Sequence, residues 1–164
     1  MKVLILCLIS LFGLSESIVM FCEFKTHASR GYMCSVNFLT ITSKDDRTIT
    51  EVYGNHEVGK NHSDVVYFLS VNNTVKFFPL GLTSFFKNLH TVFLYTSTLS
   101  EIHSSDLQEF GSKLKNFWST YNAIEVLEAD TFKYNENLEY IEVFTNKLKH
   151  IDDGTFRGLE KLTH

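Results

Sequence analysis

Proline, cysteine and positive charge are all scarce in this sequence. Its 164 residues include one Pro and three Cys, and the formal net charge is −4. So little proline excludes a collagen or a proline-rich linker, and a hydrophobic content of 44% excludes a disordered chain. We therefore expect a globular protein. The acidic balance argues against a nucleic-acid partner, because phosphate backbones are bound by clustered Lys and Arg.

Long apolar runs are confined to the N-terminus. A basic residue at position 2 precedes the apolar run 3–14 and the small-x-small site 15–17, which is typical of a secretory signal peptide over residues 1–17. An uncleaved signal anchor is the alternative, although a bilayer needs about 20 apolar residues. Because no later run is long enough, we expect no transmembrane helix in this chain and a secreted, extracellular protein.

The cysteines agree with an extracellular location. Cys7 lies in the predicted signal peptide, which leaves Cys22 and Cys34. An even number in an oxidising compartment predicts one disulfide, which contributes roughly 3 kcal/mol by constraining the unfolded chain. Two free thiols or a metal-binding pair are the alternatives.

The second half of the sequence repeats itself. Leu114, Leu138 and Leu162 are each 24 residues apart, and so are Asn122 and Asn146. A fixed period of this size indicates stacked structural units. The units are 65–88, 89–113, 114–137 and 138–161, with the start of a further repeat at 162.

The spacing L-x-x-L-x-L-x-x-N-x-L with a later Phe resembles the leucine-rich repeat over residues 65–164. The resemblance implies an α/β-type repeat solenoid, a horseshoe with a parallel β-sheet on its concave face. The side chain of the repeated Asn can bond backbone groups that a turn leaves unpaired. Ser97 takes this place in the second unit and can do so only in part. Ser70 and Ser119 occupy places usual for large apolar residues, so we expect thinner or distorted layers there.

Residues 18–64 lack the period and form the predicted N-terminal cap. Segments 36–42 and 48–53 are rich in β-branched residues and predict strands, with a turn at 44–47. A Cys-containing β element before the first repeat resembles the cap of extracellular leucine-rich repeat proteins. The stretch 54–60 resembles the cap-to-repeat junction of secreted arthropod members of that class.

Catalytic motifs are missing from the sequence. His56-Glu57 begins the H-E-x-x-H zinc-protease motif, but Lys60 stands at the place of the second His. A metal pair of His56 and His62 is the alternative to a solvated turn histidine. The sequence also lacks the patterns C-x-x-C and G-x-S-x-G and a Gly-rich phosphate loop. We expect no enzyme, no cofactor and no metal site.

Two N-glycosylation acceptor sequences are present, at Asn61-His62-Ser63 and Asn72-Asn73-Thr74. Asn61 lies in a polar loop and is the stronger candidate. Asn72 falls at the end of the first repeat strand, where a glycan would crowd one end of the concave face.

The repeat register assigns a group of aromatic residues to the concave face, because outward and buried positions alternate along a strand. Six aromatic residues of the last three rows face outward in this register: Phe93, Tyr95, Trp118, Tyr121, Tyr140 and Phe144. Exposed aromatic patches are typical of interfaces. We expect a protein or peptide ligand, with sugar or lipid stacking as the alternative. A one-residue shift of a unit would instead turn Trp118 inward and Phe117 outward.

The last unit has no neighbour to cover its core side chains. Each side chain left exposed forfeits a burial free energy of roughly 1.5–3 kcal/mol. We expect about five such exposed side chains: Ile141, Val143, Leu148, Ile151 and Phe156. Either the chain is a fragment of a longer protein, or another chain covers this edge. Two functions follow: a secreted binding module in extracellular recognition or defence, or an assembly protein that forms homo-oligomers through the C-terminal repeat edge.

Overall fold

A computed structural model describes residues 17–164 of the chain. Apart from Ser17, the predicted signal peptide lies outside the described residues. The strands are β1 (Ile18–Phe21), β2 (Glu23–His27), β3 (Gly31–Val36), β4 (Thr40–Ile41), β5 (Ile49–Tyr53), β6 (Tyr67–Val71), β7 (Thr74–Val75), β8 (Thr91–Tyr95), β9 (Asn116–Thr120), β10 (Val126–Leu127), β11 (Tyr140–Glu142) and β12 (His150–Ile151). The helices are α1 (Leu82–Phe85), α2 (Ser104–Leu107) and two 3₁₀ segments, His62–Asp64 and Gln108–Lys113.

One six-stranded sheet organises the described residues, in the order β11-β9-β8-β6-β3-β2. All neighbours are parallel except β2 and β3, which form an antiparallel hairpin. The repeat strands β6, β8, β9 and β11 begin at 67, 91, 116 and 140, so their starts are 24, 25 and 24 residues apart. This strand-rich parallel sheet fits the expected repeat fold. The connections between strands contain short helical turns and short paired segments.

A single apolar core lies against one face of this sheet. Phe68, Val92, Leu94 and Phe117 point into it from the repeat strands and are all 0% exposed. The core continues from Met20 in the N-terminal region to Leu159 near the end. Each unit therefore buries its apolar residues against its neighbours.

The repeated Asn side chains bond backbone groups, as the sequence predicted. The Asn122 Oδ1 accepts hydrogen bonds from the backbone N–H groups of Ser97 and Leu99, and its Nδ2 donates to the Leu94 carbonyl at 2.8 Å. Asn73 makes equivalent bonds to Leu39 N and Val36 O. These bonds tie each unit to the one before it.

The layer at Ser70 and Ser119 is held by hydrogen bonds. The Ser70 hydroxyl lies 3.0 Å from that of Ser97 and accepts from the Asn73 amide. The Ser119 hydroxyl accepts from Asn122. The strands keep their register through both serines, so the expected distortion is wrong for these strands.

A left-handed residue follows each repeat strand, directly after β6, β8 and β9 and three residues after the end of β11. Asn72, Thr96, Tyr121 and Thr145 have φ values of 53°, 52°, 56° and 52°. The backbone N–H groups of the first three still donate to the next unit, for example Tyr121 to the Phe144 carbonyl at 3.1 Å. Asn tolerates this conformation, whereas it is disfavoured for Thr and Tyr, so the backbone is strained at Thr96, Tyr121 and Thr145.

The N-terminal region joins the repeat sheet directly, because β3 pairs with β6. The prediction of a strand over 36–42 is wrong: β3 ends at Val36, and beyond it only Thr40–Ile41 is extended. Five of the six β3 residues are buried, so the strand lacks the polar alternation that marks a half-exposed strand. The prediction for 48–53 is confirmed by β5, which pairs with β1.

The predicted disulfide joins Cys22 to Cys34. It links the start of the β2–β3 hairpin to the strand that meets the repeats. None of the helices within residues 17–164 has the length and apolar character of a membrane span.

Candidate functional site

The outer face is the side of the six-stranded sheet that points away from the core. Strand pairing places Leu69, Phe93, Trp118 and Glu142 next to one another in one row of this face. Phe117 is fully buried on the opposite side, and Trp118 is half-buried on the outer face. The one-residue shift that would exchange them does not occur.

The six aromatic residues of the sequence prediction lie together on the outer face and its C-terminal rim, and we call them the aromatic cluster. Ring centroids are 5.7 Å apart for Phe93 and Trp118, and 5.4 Å apart for Trp118 and Tyr140. A second line of rings, Tyr95, Tyr121 and Phe144, runs along the C-terminal ends of the strands. The ring centroids are 5.4 Å apart for Tyr95 and Tyr121 and 6.1 Å apart for Tyr121 and Phe144. The pairs are tilted or edge-to-face, an arrangement that aromatic rings favour.

The second line is the more accessible part of the aromatic cluster. Tyr95, Tyr121 and Phe144 are 37%, 48% and 60% exposed. Trp118 and Phe93 are half-buried between them and the rest of the sheet. The left-handed backbone of Tyr121 carries its ring to the rim. The outer face therefore has a packed aromatic centre and a more exposed aromatic edge.

Polar groups surround the aromatic cluster. The Glu142 carboxylate accepts hydrogen bonds from the Tyr140 hydroxyl at 3.2 Å and from Thr120 Oγ1 at 3.3 Å. The Lys115 Nζ lies 3.8 Å from the Glu139 Oε1. Burial lowers the pKa of His90, and the nearby Lys115 lowers it further. Both effects favour the neutral form of His90.

Arg30 also belongs to this face, although no sequence pattern predicts it. Its guanidinium lies 5.0 Å from the Trp118 ring centroid and 5.6 Å from that of Tyr67. Its Nη1 donates to the Tyr67 hydroxyl at 3.0 Å. No repeat pattern marks Arg30, because it belongs to the turn between β2 and β3. Only the folded hairpin brings it over the sheet.

The β2–β3 turn covers the first row of the outer face. Tyr67 points outward, yet it is only 1% exposed, because Arg30 and His27 lie against its ring. Gly31 closes the turn with a φ of +90°, and a Cβ there would meet the Val66 side chain at 2.7 Å. The turn therefore requires glycine at this position.

His56 and His62 form a half-buried pair, so the expectation of a solvated turn histidine is wrong. The His56 Nε2 lies 2.7 Å from the His62 Nδ1, and the His56 Nδ1 lies 2.9 Å from the Tyr32 hydroxyl. Phe24 stacks on His56 with 3.8 Å between ring centroids. Burial lowers the pKa of His56, and the neighbouring His62 adds to this. Across residues 17–164, no three His, Cys, Asp or Glu side chains meet in a metal-binding arrangement.

Both predicted glycosylation asparagines are exposed. Asn61 caps the 3₁₀ segment: its Oδ1 accepts from Ser63 N at 2.8 Å, and its own N–H donates to Asp64. Asn72 lies at the end of β6, beside the outer face. Attachment of glycans at either position stays a prediction.

The comparison with protein families agrees with this architecture. The family model described as leucine rich repeat matches residues 119–164. The match supports a leucine-rich repeat protein. It runs from the end of β9 through β11 and β12, and it includes the aromatic residues Tyr121, Tyr140 and Phe144. Comparison with curated proteins finds no match.

Leucine-rich repeats are in general protein-binding modules and are typically not enzymes. The centre of the outer face is made of aromatic side chains, the Glu142 carboxylate is bonded to two hydroxyl groups, and Glu139 is paired with Lys115. The arrangement offers apolar area and hydrogen-bonding groups for a partner.

Proposed function

We propose that the chain is a secreted leucine-rich repeat module that recognises a protein or peptide ligand on its outer face. In this proposal residues 18–64 are the N-terminal cap, residues 65–164 are the repeats of a horseshoe solenoid, and the outer face is its concave side. The proposal rests above all on the aromatic cluster, which adjacent strands hold in register.

Aromatic side chains of this kind suit protein recognition. Trp and Tyr supply large contact areas with little conformational entropy to lose, and they dominate the energetics of protein interfaces. In the aromatic cluster the rings also hold one another in place, since each lies 5.4–6.1 Å from a neighbouring ring. A ligand would therefore meet a preformed surface.

An extracellular setting, with a role in recognition or defence, is part of the proposal. It is supported by the Cys22–Cys34 disulfide, which is typical of oxidising compartments. The exposed Asn61 and Asn72 acceptor sequences and the apolar N-terminal run are consistent with export. The arthropod affiliation rests on the resemblance of the cap junction.

The test is capture of a ligand by the purified chain from extracellular fluid. We expect wild type to retain a protein that Trp118→Ala and a triple alanine variant at Phe93, Trp118 and Phe144 do not retain. Tyr134→Ala is the matched control, because Tyr134 is a 40% exposed aromatic residue outside the aromatic cluster. Equal capture by wild type and the triple variant would contradict the proposal.

A second function, self-association through the last repeat, is favoured by a separate observation. Ile151 and Phe156 are 46% and 40% exposed, and Ile141, Val143 and Leu148 are only half-buried. Light scattering over a dilution series distinguishes the two functions. A dimer that dissociates in the Phe156→Asp variant would support self-association. A monomer at all concentrations would contradict self-association and favour the ligand-binding function.

A further inference from the structure

Arg30 holds a positive charge at a defined point above the aromatic cluster. The Trp118 and Tyr67 rings lie beneath its guanidinium, and the Tyr67 hydroxyl accepts from Nη1. Stacking on two rings and one hydrogen bond restrict the guanidinium plane. The β2–β3 turn that carries Arg30 is itself fixed by the Cys22–Cys34 disulfide and by Gly31.

The charge of Arg30 has no acidic partner within residues 17–164. Its side chain takes part in none of the salt bridges of this part of the chain. The chain has two other arginines, and both face an aspartate: Arg47 with Asp106 and Arg157 with Asp130. Arg30 is exposed, and its Nη1 donates to the Tyr67 hydroxyl.

An acidic group lies on the other side of Trp118. Glu142 is the strand neighbour of Trp118 on β11, and its carboxylate accepts from Tyr140 and Thr120 without a salt bridge to any described Lys or Arg. Trp118 therefore lies between a positive group toward the N-terminal region and a negative group toward the last repeat. Within residues 17–164 no salt bridge joins Arg30 to Glu142.

We propose that the outer face binds a peptide segment that places an Asp or Glu carboxylate on Arg30 and an apolar side chain against Trp118. A guanidinium and a carboxylate form paired, charge-assisted hydrogen bonds of defined geometry. Glu142 then favours a basic or neutral residue at the far end of the segment. This inference rests on the proposed function and names the chemistry of its ligand.

The experiment is selection of a displayed library of random twelve-residue peptides on the folded chain. Four proteins are compared: wild type, Arg30→Gln, Trp118→Ala and the control Arg157→Gln, which removes the same charge far from the outer face. We expect wild type and Arg157→Gln to enrich acidic peptides. We expect Arg30→Gln to lose the enrichment, and a selected acidic peptide to bind it at least about tenfold more weakly.

Arg30→Lys adds a second readout, because it keeps the charge and loses the planar stacking and the paired donors. We expect it to bind the acidic peptide with an affinity between those of wild type and Arg30→Gln. Arg30 lies in an exposed turn, so we expect thermal midpoints of these variants close to that of wild type.

The outcomes separate the two proposals. Peptides that require Trp118 but show no acidic preference, or a preference that survives Arg30→Gln, overturn the role of Arg30 and leave the outer face as a binding site. Peptides that bind Trp118→Ala as well as wild type, or no enrichment at all, overturn the proposed function and the role of Arg30 together.

Discussion

Replacement of Arg47 by Met should strongly destabilise the protein, because it leaves a buried carboxylate without its cation. The Arg47 Nη1 lies 2.6 Å from the Asp106 Oδ1, and the two side chains are only 11% and 1% exposed. The other carboxylate oxygen accepts from the His103 backbone N–H at 2.8 Å. This ion pair joins the segment between β4 and β5 to helix α2.

The magnitude follows from the burial of Asp106. Removal of one partner of a buried ion pair costs about 3–5 kcal/mol, because the remaining charge stays in a medium that solvates it poorly. An exposed pair contributes only about 0–1 kcal/mol. For a domain of this size, a loss of about 3 kcal/mol lowers the thermal midpoint by about 6–12 °C.

Urea unfolding measures the loss directly and allows a matched comparison. Lys149→Met is the control, since Lys149 and Glu125 form a pair with side chains 70% and 50% exposed. The double variant Arg47→Met/Asp106→Asn should be more stable than Arg47→Met alone, because it removes the unpaired charge and keeps an acceptor for the His103 N–H. A loss below about 1 kcal/mol for Arg47→Met, or no recovery in the double variant, would refute the reasoning.

Three other side chains, Thr145, Glu57 and Asn122, should also affect stability. Thr145→Asn should raise the free energy of unfolding by about 0.5–1 kcal/mol, since Asn tolerates the left-handed φ of 52° better than Thr; an unchanged urea midpoint would argue against strain. Hydrogen bonds from the Thr26 hydroxyl and amide hold the pKa of Glu57 below its ordinary 4.5. The stability that Glu57 adds over Glu57→Gln is therefore present above pH 4.5 and should disappear as pH falls through the lowered pKa, which unfolding curves at several pH values will show. Asn122→Ala should cost about 2 kcal/mol or more in urea unfolding, because it leaves buried backbone groups unpaired, whereas Asn88→Ala, at an exposed bond, should cost much less.

The sequence predicted the repeat strands well because their environment is periodic. A 24-residue spacing fixes which side chains share a layer, and alternation along each strand then decides which of them face the core. Trp118 is outward and Phe117 buried for this reason alone. The amide bonds of Asn122 were predictable in the same way, since a polar residue at a buried turn must satisfy the backbone around it.

The N-terminal region was harder to predict because its contacts are not repeated. β3 is buried almost throughout, so it shows none of the alternation by which a half-exposed strand is recognised. The position of Arg30 depends on a hairpin that folds over the sheet, and the pairing of His56 with His62 depends on how Phe24 and Tyr32 pack. Each of these is a tertiary contact with no local sequence signal.

Trp118 can report directly on ligand binding at the outer face, because it is the only Trp of the chain and lies within the aromatic cluster. Its fluorescence should be recorded while a Trp-free peptide selected on the wild-type protein is added. We expect a saturable change in Trp118 emission, with the midpoint concentration equal to the dissociation constant measured by calorimetry. Binding by calorimetry with an unchanged emission spectrum would contradict the account, because the ligand would then occupy a surface away from the outer face.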